Sequence, residues 1–116
     1  MSKPLTAVHR IMARHLARYE SEDMRAVDRV MRASETLMNR KHATYAAQEQ
    51  ALYATLCEVW RQPQRRPALR MVAMAAIGAM RIALESWGTQ TGQRPLSEFL
   101  DEAFAALATE LADTSL

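Results

Sequence analysis

Apolar residues recur every three or four positions along most of this chain, the period of an amphipathic helix. Leu5, Val8, Met12, His15, Leu16 and Tyr19 fall on one face, with Arg10, Arg14 and Arg18 on another. The pattern predicts a first helix from Pro4 to Tyr19, opened by a proline whose missing N–H costs nothing in the first turn. Ser21 is placed to cap a second helix, with Glu22 and Asp23 favourable at its positive end. Met24, Val27, Val30 and Met31 form its apolar side. A break over Ser34–Thr36 precedes a third helix from Leu37 to Arg61, which Pro63 and Pro67 terminate. A fourth runs from Pro67 to Trp87. After a short loop from Gly88 to Arg94, Pro95 and Leu96 open a fifth. The fold class expected is all-α, a bundle of about five helices in one domain over residues 1–116.

The last two helices are unusually apolar. Met71, Val72, Met74, Ile77, Met80, Ile82 and Leu84 point in nearly every direction around the fourth, and only Arg81 is charged between Met71 and Leu84. A helix that is apolar all round is expected to be buried all round. Ala73, Ala75, Ala76, Gly78 and Ala79 would let neighbours approach closely. In the fifth helix Leu96, Phe99, Leu100, Ala103, Phe104, Leu107 and Leu111 cover about half the wheel, wider than the ~100° stripe of a one-sided helix. Five helices leave little to cover both, so a second copy is the economical partner, joined in a twofold four-helix interface. Ile82, Trp87, Leu96, Phe99, Leu100, Ala103, Phe104 and Leu107 are the expected contact residues, and glutamate at Phe104 is the expected way to split the pair. The competing reading makes the fourth helix simply the central core element.

Composition narrows the picture. Ala and Met are abundant and β-branched residues sparse, which favours helix over strand. The single cysteine, Cys57, cannot form an internal disulfide, so nothing argues for secretion, and the start lacks a signal-peptide apolar run. The longest uncharged run, Met71–Met80, falls short of the ~20 apolar residues of a bilayer span. A soluble cytoplasmic protein without membrane contact is the expectation. Net charge is +2, too weak to demand nucleic acid. The charge is uneven: residues 1–70 carry 13 Lys/Arg against 7 Asp/Glu, residues 71–116 carry 2 against 6. A solvated basic face is the plain reading; weak steering of an anionic partner is the sharper one.

Chemistry-bearing motifs are missing. His9, His15 and His42 have no His or Cys at i+3 or i+4, so no metal site is expected. There is no glycine-rich phosphate loop, nucleophile elbow or dinucleotide fingerprint, so no cofactor and no catalytic residue is expected. Asp101 and Glu102 read as a solvated pair, and Cys57 as a buried structural thiol. The third helix is more suggestive. Met38, Tyr45, Leu52, Leu56 and Val59 define its apolar side, with His42, Gln48, Glu49 and Tyr53 on or beside it. An unpaired carboxylate cannot sit in a dry core. Either this is the polar-studded wall of a ligand cavity, or Glu49 pairs locally with a Tyr or Arg and binds nothing. The many methionines fit a core or an adaptable cavity alike.

The segment "AMRIALESWGTQTGQRPLSEFLDEAFAAL", residues 79–107, resembles the closing hairpin of the C-terminal ligand-binding and dimerisation domain of TetR-family transcriptional repressors. "RKHATYAAQEQALYATL", residues 40–56, and the preceding "RVMRASETLM" are similar to the branch that takes acyl-CoA-like or other apolar ligands. The resemblance implies a homodimer through the last two helices and a cavity enclosed by the first three with the inner side of the fourth. His42, Tyr45, Glu49, Leu52, Tyr53, Met74 and Arg81 are then the expected ligand-binding residues. Ligand would favour one arrangement of the first helix, a population shift felt by the DNA reader of an intact repressor. Residues 1–20 show no helix-turn-helix, so DNA is expected to be bound only through a reader that this sequence does not include. Two functions stay open: a dimeric small-molecule sensor, or a ligand-free helical module that pairs with itself or a related repressor. Direct nucleic-acid binding through scattered arginines is the weakest alternative.

Overall fold

The computed structural model describes residues 3–17, 22–90 and 92–111, with the side chains of 22–25 and 28 left aside. Five helices follow one another: α1 (Pro4–Ala17), α2 (Glu22–Arg32), α3 (Glu35–Val59), α4 (Arg66–Thr89) and α5 (Leu96–Leu111). A single 3₁₀ turn, Pro63–Arg65, joins α3 to α4, and no strand occurs among the described residues. The expected Ser21 cap, and Arg18 and Tyr19, lie outside the described residues, as do the side chains of Glu22, Asp23 and Met24.

Local chemistry sets the boundaries. Ser34 is the N-cap of α3: its backbone is extended and its Oγ accepts the Leu37 N–H at 3.2 Å. That cap places Glu35 and Thr36 already inside the helix, where the sequence pattern suggested a break. Trp60 leaves the helical conformation with φ −107° and ψ 93°, and its N–H donates to the Leu56 carbonyl at 2.8 Å. Pro63 cannot continue α3, and Pro67 fits the first turn of α4, where no N–H is needed. At the other end α4 runs two residues past Trp87, to Thr89. The Gln90 side chain then pins the loop: its Oε1 accepts the Arg94 N–H at 3.0 Å and its Nε2 donates to the Arg94 carbonyl at 2.9 Å.

α4 is the centre, packed against α1, α2, α3 and α5. Leu69, Ala73, Ala76, Ile77, Ala79, Met80, Ala83 and Trp87 are its buried side. Leu96, Leu100 and Phe104 of α5, Val8 of α1, and Tyr45, Leu56 and Trp60 from α3 and its end complete the core. Alanines at four buried α4 positions let the surrounding helices lie close. The α3 apolar side differs at its end from the periodicity: Val59 is exposed, and Trp60, freed by its non-helical backbone, turns in instead.

α4 is not buried all round. Met71 is 70% exposed, Met74 51% and Ile82 59%. With Ala75 and Gly78 they form one outward stripe, spaced three and four residues apart. The span Pro63–Thr89 is long and apolar enough to cross a membrane by length and composition alone. The uncharged-run count overlooks it because Arg66, Arg70 and Arg81 interrupt the segment. In this fold the apolar side chains of its inner face are the core of the bundle.

Candidate effector wall and pairing face

Two surfaces come from the residues singled out in the sequence. The first is the seam between α3 and α4. Glu49 projects from α3 towards α4 and receives Arg70, with Nη2 to Oε1 at 3.1 Å and both side chains partly shielded. The same guanidinium lies 5.6 Å from the centre of the Tyr53 ring, so one cation serves both residues. A turn further, Tyr53 hydrogen-bonds Cys57. That bond, then burial, raises the Tyr53 pKa above the ordinary phenol value, against the opposing pull of Arg66 and Arg70. Near the middle of α3, one turn before Glu49, the buried Tyr45 ring carries Arg81 at 5.0 Å and Lys41 at 5.8 Å.

The seam brings together Tyr45, Glu49, Tyr53 and Arg81 of the expected ligand-binding set, with Leu52 half-buried beside them. It does not include the other two. His42 is exposed, because its position on α3 turns it to solvent, and Met74 stands on the outward stripe of α4. Arg70, which completes the polar ladder, was not singled out in the sequence. The signal for it was the stranded Glu49, whose local partner is a helix away and therefore invisible to spacing.

The second surface is the outward face of the α4–α5 hairpin. Ala75, Gly78, Ala79 and Ile82 from α4 and Ala103, Ala106, Leu107 and Glu110 from α5 line a shallow groove of about 380 Å³. Glu110 is its one ionisable residue, at one end. Gly78 has a particular meaning here. A Cβ built on it would meet nothing within 4 Å. Glycine inside a helix costs about 1 kcal/mol relative to alanine, and packing within the subunit gives no return for that cost.

The eight expected contact residues divide. Ile82, Ala103 and Leu107 line the groove. Trp87, Leu96, Leu100 and Phe104 are buried within the subunit itself. Phe99 is half-buried, with the Arg94 guanidinium 4.4 Å from its ring centre. Arg94 in turn binds Glu98 and Glu102, which raise its pKa further and keep it charged. Phe104 stacks flat on His9, with ring centres 4.3 Å apart, and His9 Nε2 reaches Asp101 Oδ1 at 2.8 Å. That clasp joins α1 to α5. Glutamate at Phe104 would therefore break the α1–α5 seam before testing any pairing. Asp101 and Glu102 are exposed as expected, yet each has a partner. Nothing in periodicity links His9 to Asp101, 92 residues on.

The described residues form a five-helix, all-α bundle with a central apolar helix and a closing hairpin whose outer face is uncovered within the subunit. The family model for the MftR C-terminal domain matches residues 2–112, and the chain belongs to that family, a C-terminal domain of TetR-type regulators. Domains of this family typically dimerise and bind small-molecule effectors, are non-enzymatic, and belong to soluble cytoplasmic regulators. No match is found among curated proteins, and none among solved structures.

Proposed function

We propose that this domain is the effector-sensing and pairing part of a TetR-like transcriptional repressor. Two copies pair through the outward faces of α4 and α5, and an apolar or acyl-type small molecule is sensed at the α3–α4 side. The observation that carries the pairing is Gly78. It lies in an exposed apolar stripe, costs helix stability, and has no packing role in its own subunit. A second copy crossing there would use the missing side chain for close approach. The family's habit of dimerising points the same way. In this reading residues 1–116 act as one sensing and pairing unit, DNA is read only by a helix-turn-helix domain, and this unit does not bind an operator itself.

A specific observation favours the second reading, a ligand-free pairing module. The polar groups of the wall already satisfy one another, since Glu49 has Arg70 and Tyr53 has Cys57. A thermal-shift panel of acyl-CoAs, fatty acids and aromatic acids separates the two. A ligand at a hundred times its Kd adds about 2.7 kcal/mol to stability and raises Tm by about ten degrees. The sensor reading expects this from an acyl or other apolar compound, with the gain reduced by Tyr45→Ala. A panel in which no compound moves Tm leaves the pairing module.

A further inference from the structure

At the corner where α3 turns into α4 the chain reads "RQPQRRPALR", residues 61–70, with four arginines and no acid. Arg70 is committed to Glu49. The other three are not matched by any carboxylate among the described residues. Arg61 donates Nε–H only to the backbone carbonyl of Glu58, at 3.0 Å. Arg65 is half-buried and Arg66 exposed.

Arg61 and Arg65 border a hollow, and Arg66 follows them at the start of α4. Val59, Trp60, Arg61, Gln62 and Arg65 line an open depression of about 470 Å³. Its charged groups are all cations, and its apolar surface comes from Val59, half exposed, and the rim of the buried Trp60. The first turn of α4 carries no acidic residue and no side-chain cap, so the helix dipole adds to the positive field of the arginines rather than opposing it. Three guanidiniums held within six residues, beside a concave apolar surface, cost self-repulsion that an anion would relieve.

We infer that this corner is a binding site for a phosphate-type anion carried on a small apolar or aromatic group. Arg61 and Arg65 grip the phosphoryl oxygens, Arg66 adds charge from the start of α4, and the non-phosphate part lies over Val59 and Trp60. Guanidinium forks suit phosphate because each offers paired N–H donors at the spacing of its oxygens. The hollow has the volume of a small-molecule site rather than of a single ion. This site shares no lining residue with the pairing face or with the expected ligand-binding set, and Arg66, whose charge is also felt at Tyr53, is its one link to the α3–α4 wall.

Inorganic pyrophosphate is the first probe, titrated at low salt into the ¹⁵N-labelled domain with the Trp60 indole signal observed. Orthophosphate, adenosine 5′-diphosphate and a random-sequence DNA duplex are the other arms. The expected result is saturable movement of the Trp60 signal, tighter for the adenine compound than for pyrophosphate. Arg61→Gln/Arg65→Gln/Arg66→Gln should weaken it at least tenfold, while Arg29→Gln/Arg40→Gln, which removes the same kind of charge elsewhere, leaves it unchanged. Equal loss in both variants, or no movement at Trp60 with any small probe, overturns the site. Binding of the duplex without binding of pyrophosphate also overturns it, and assigns the arginines to nucleic-acid backbone instead.

Discussion

Single residues carry the contacts between elements. Glu49 could not remain unpaired on a half-buried helix face, and Arg70 supplies the charge it needs from α4. Arg70→Gln should lower stability by about 1 kcal/mol in urea unfolding, because it leaves Glu49 without a cation and bares the Tyr53 ring. Glu49→Gln should cost less, since a neutral amide can still accept from Arg70. A larger loss from Glu49→Gln would show that its charge serves something other than this pair. His9 is the corresponding residue on the other side of the bundle. His9→Ala removes both the stack on Phe104 and the bond to Asp101, and about 1–2 kcal/mol should be lost. Asp101→Asn should cost only part of that, because the stack survives. If the two variants are equal, the ring contact contributes nothing. Neither His9 nor Arg70 stood out in the sequence. Their partners lie across the bundle, and helical spacing reports only neighbours on the same helix.

Helices, by contrast, were legible. The order, number and approximate limits of all five follow from the 3.6-residue period and from Pro63, Pro67 and Pro95. What periodicity does not resolve is how the apolar surface of the hairpin is shared. It could show that α4 and α5 are too apolar for one-sided helices, but not which apolar residues the subunit itself covers. Trp87, Leu100 and Phe104 are consumed internally, and Met71, Met74 and Ile82 are left over. Trp60 escaped because its inward turn depends on leaving the helix, not on its place in the heptad. Two substitutions separate the two roles within the hairpin. Leu100→Ala should cost about 3–5 kcal/mol, since Leu100 is fully buried and the cavity cannot collapse easily. Gly78→Ala should do the reverse to an isolated subunit and add up to about 1 kcal/mol, because the helix gains and nothing clashes. Urea unfolding at low protein concentration measures both, and a destabilised Gly78→Ala subunit would mean that the glycine serves packing within the chain.

The whole molecule is organised around one helix with two demands on it. The inner side of α4 builds the core, and its seam with α3 forms the candidate effector wall. The outer side stays uncovered within the subunit and is the proposed pairing face. In the proposed reading this division has a purpose, because a domain that senses and pairs must connect a small-molecule wall to an interface, and α4 would touch both. Arg81 shows how short that connection is: its guanidinium covers the buried Tyr45 ring while the residue also borders the hollow shared with Gly78 and Ile82. The acyl-type or apolar effector, the twofold pair and the regulation of transcription are one proposal in this respect, joined through α4. The proposed anion corner lies at the far end of the same helix.

Sedimentation of the unmodified domain beside Gly78→Glu is the sharpest test of pairing through the outer hairpin face. The unmodified domain should sediment as a species of twice the chain mass. Gly78→Glu should be a monomer with undiminished helical circular dichroism, because a Cβ at this position meets nothing within 4 Å inside the subunit, while the new carboxylate would be buried between two copies. A Gly78→Glu domain that sediments as a dimer, as tightly as the unmodified one, would contradict that pairing.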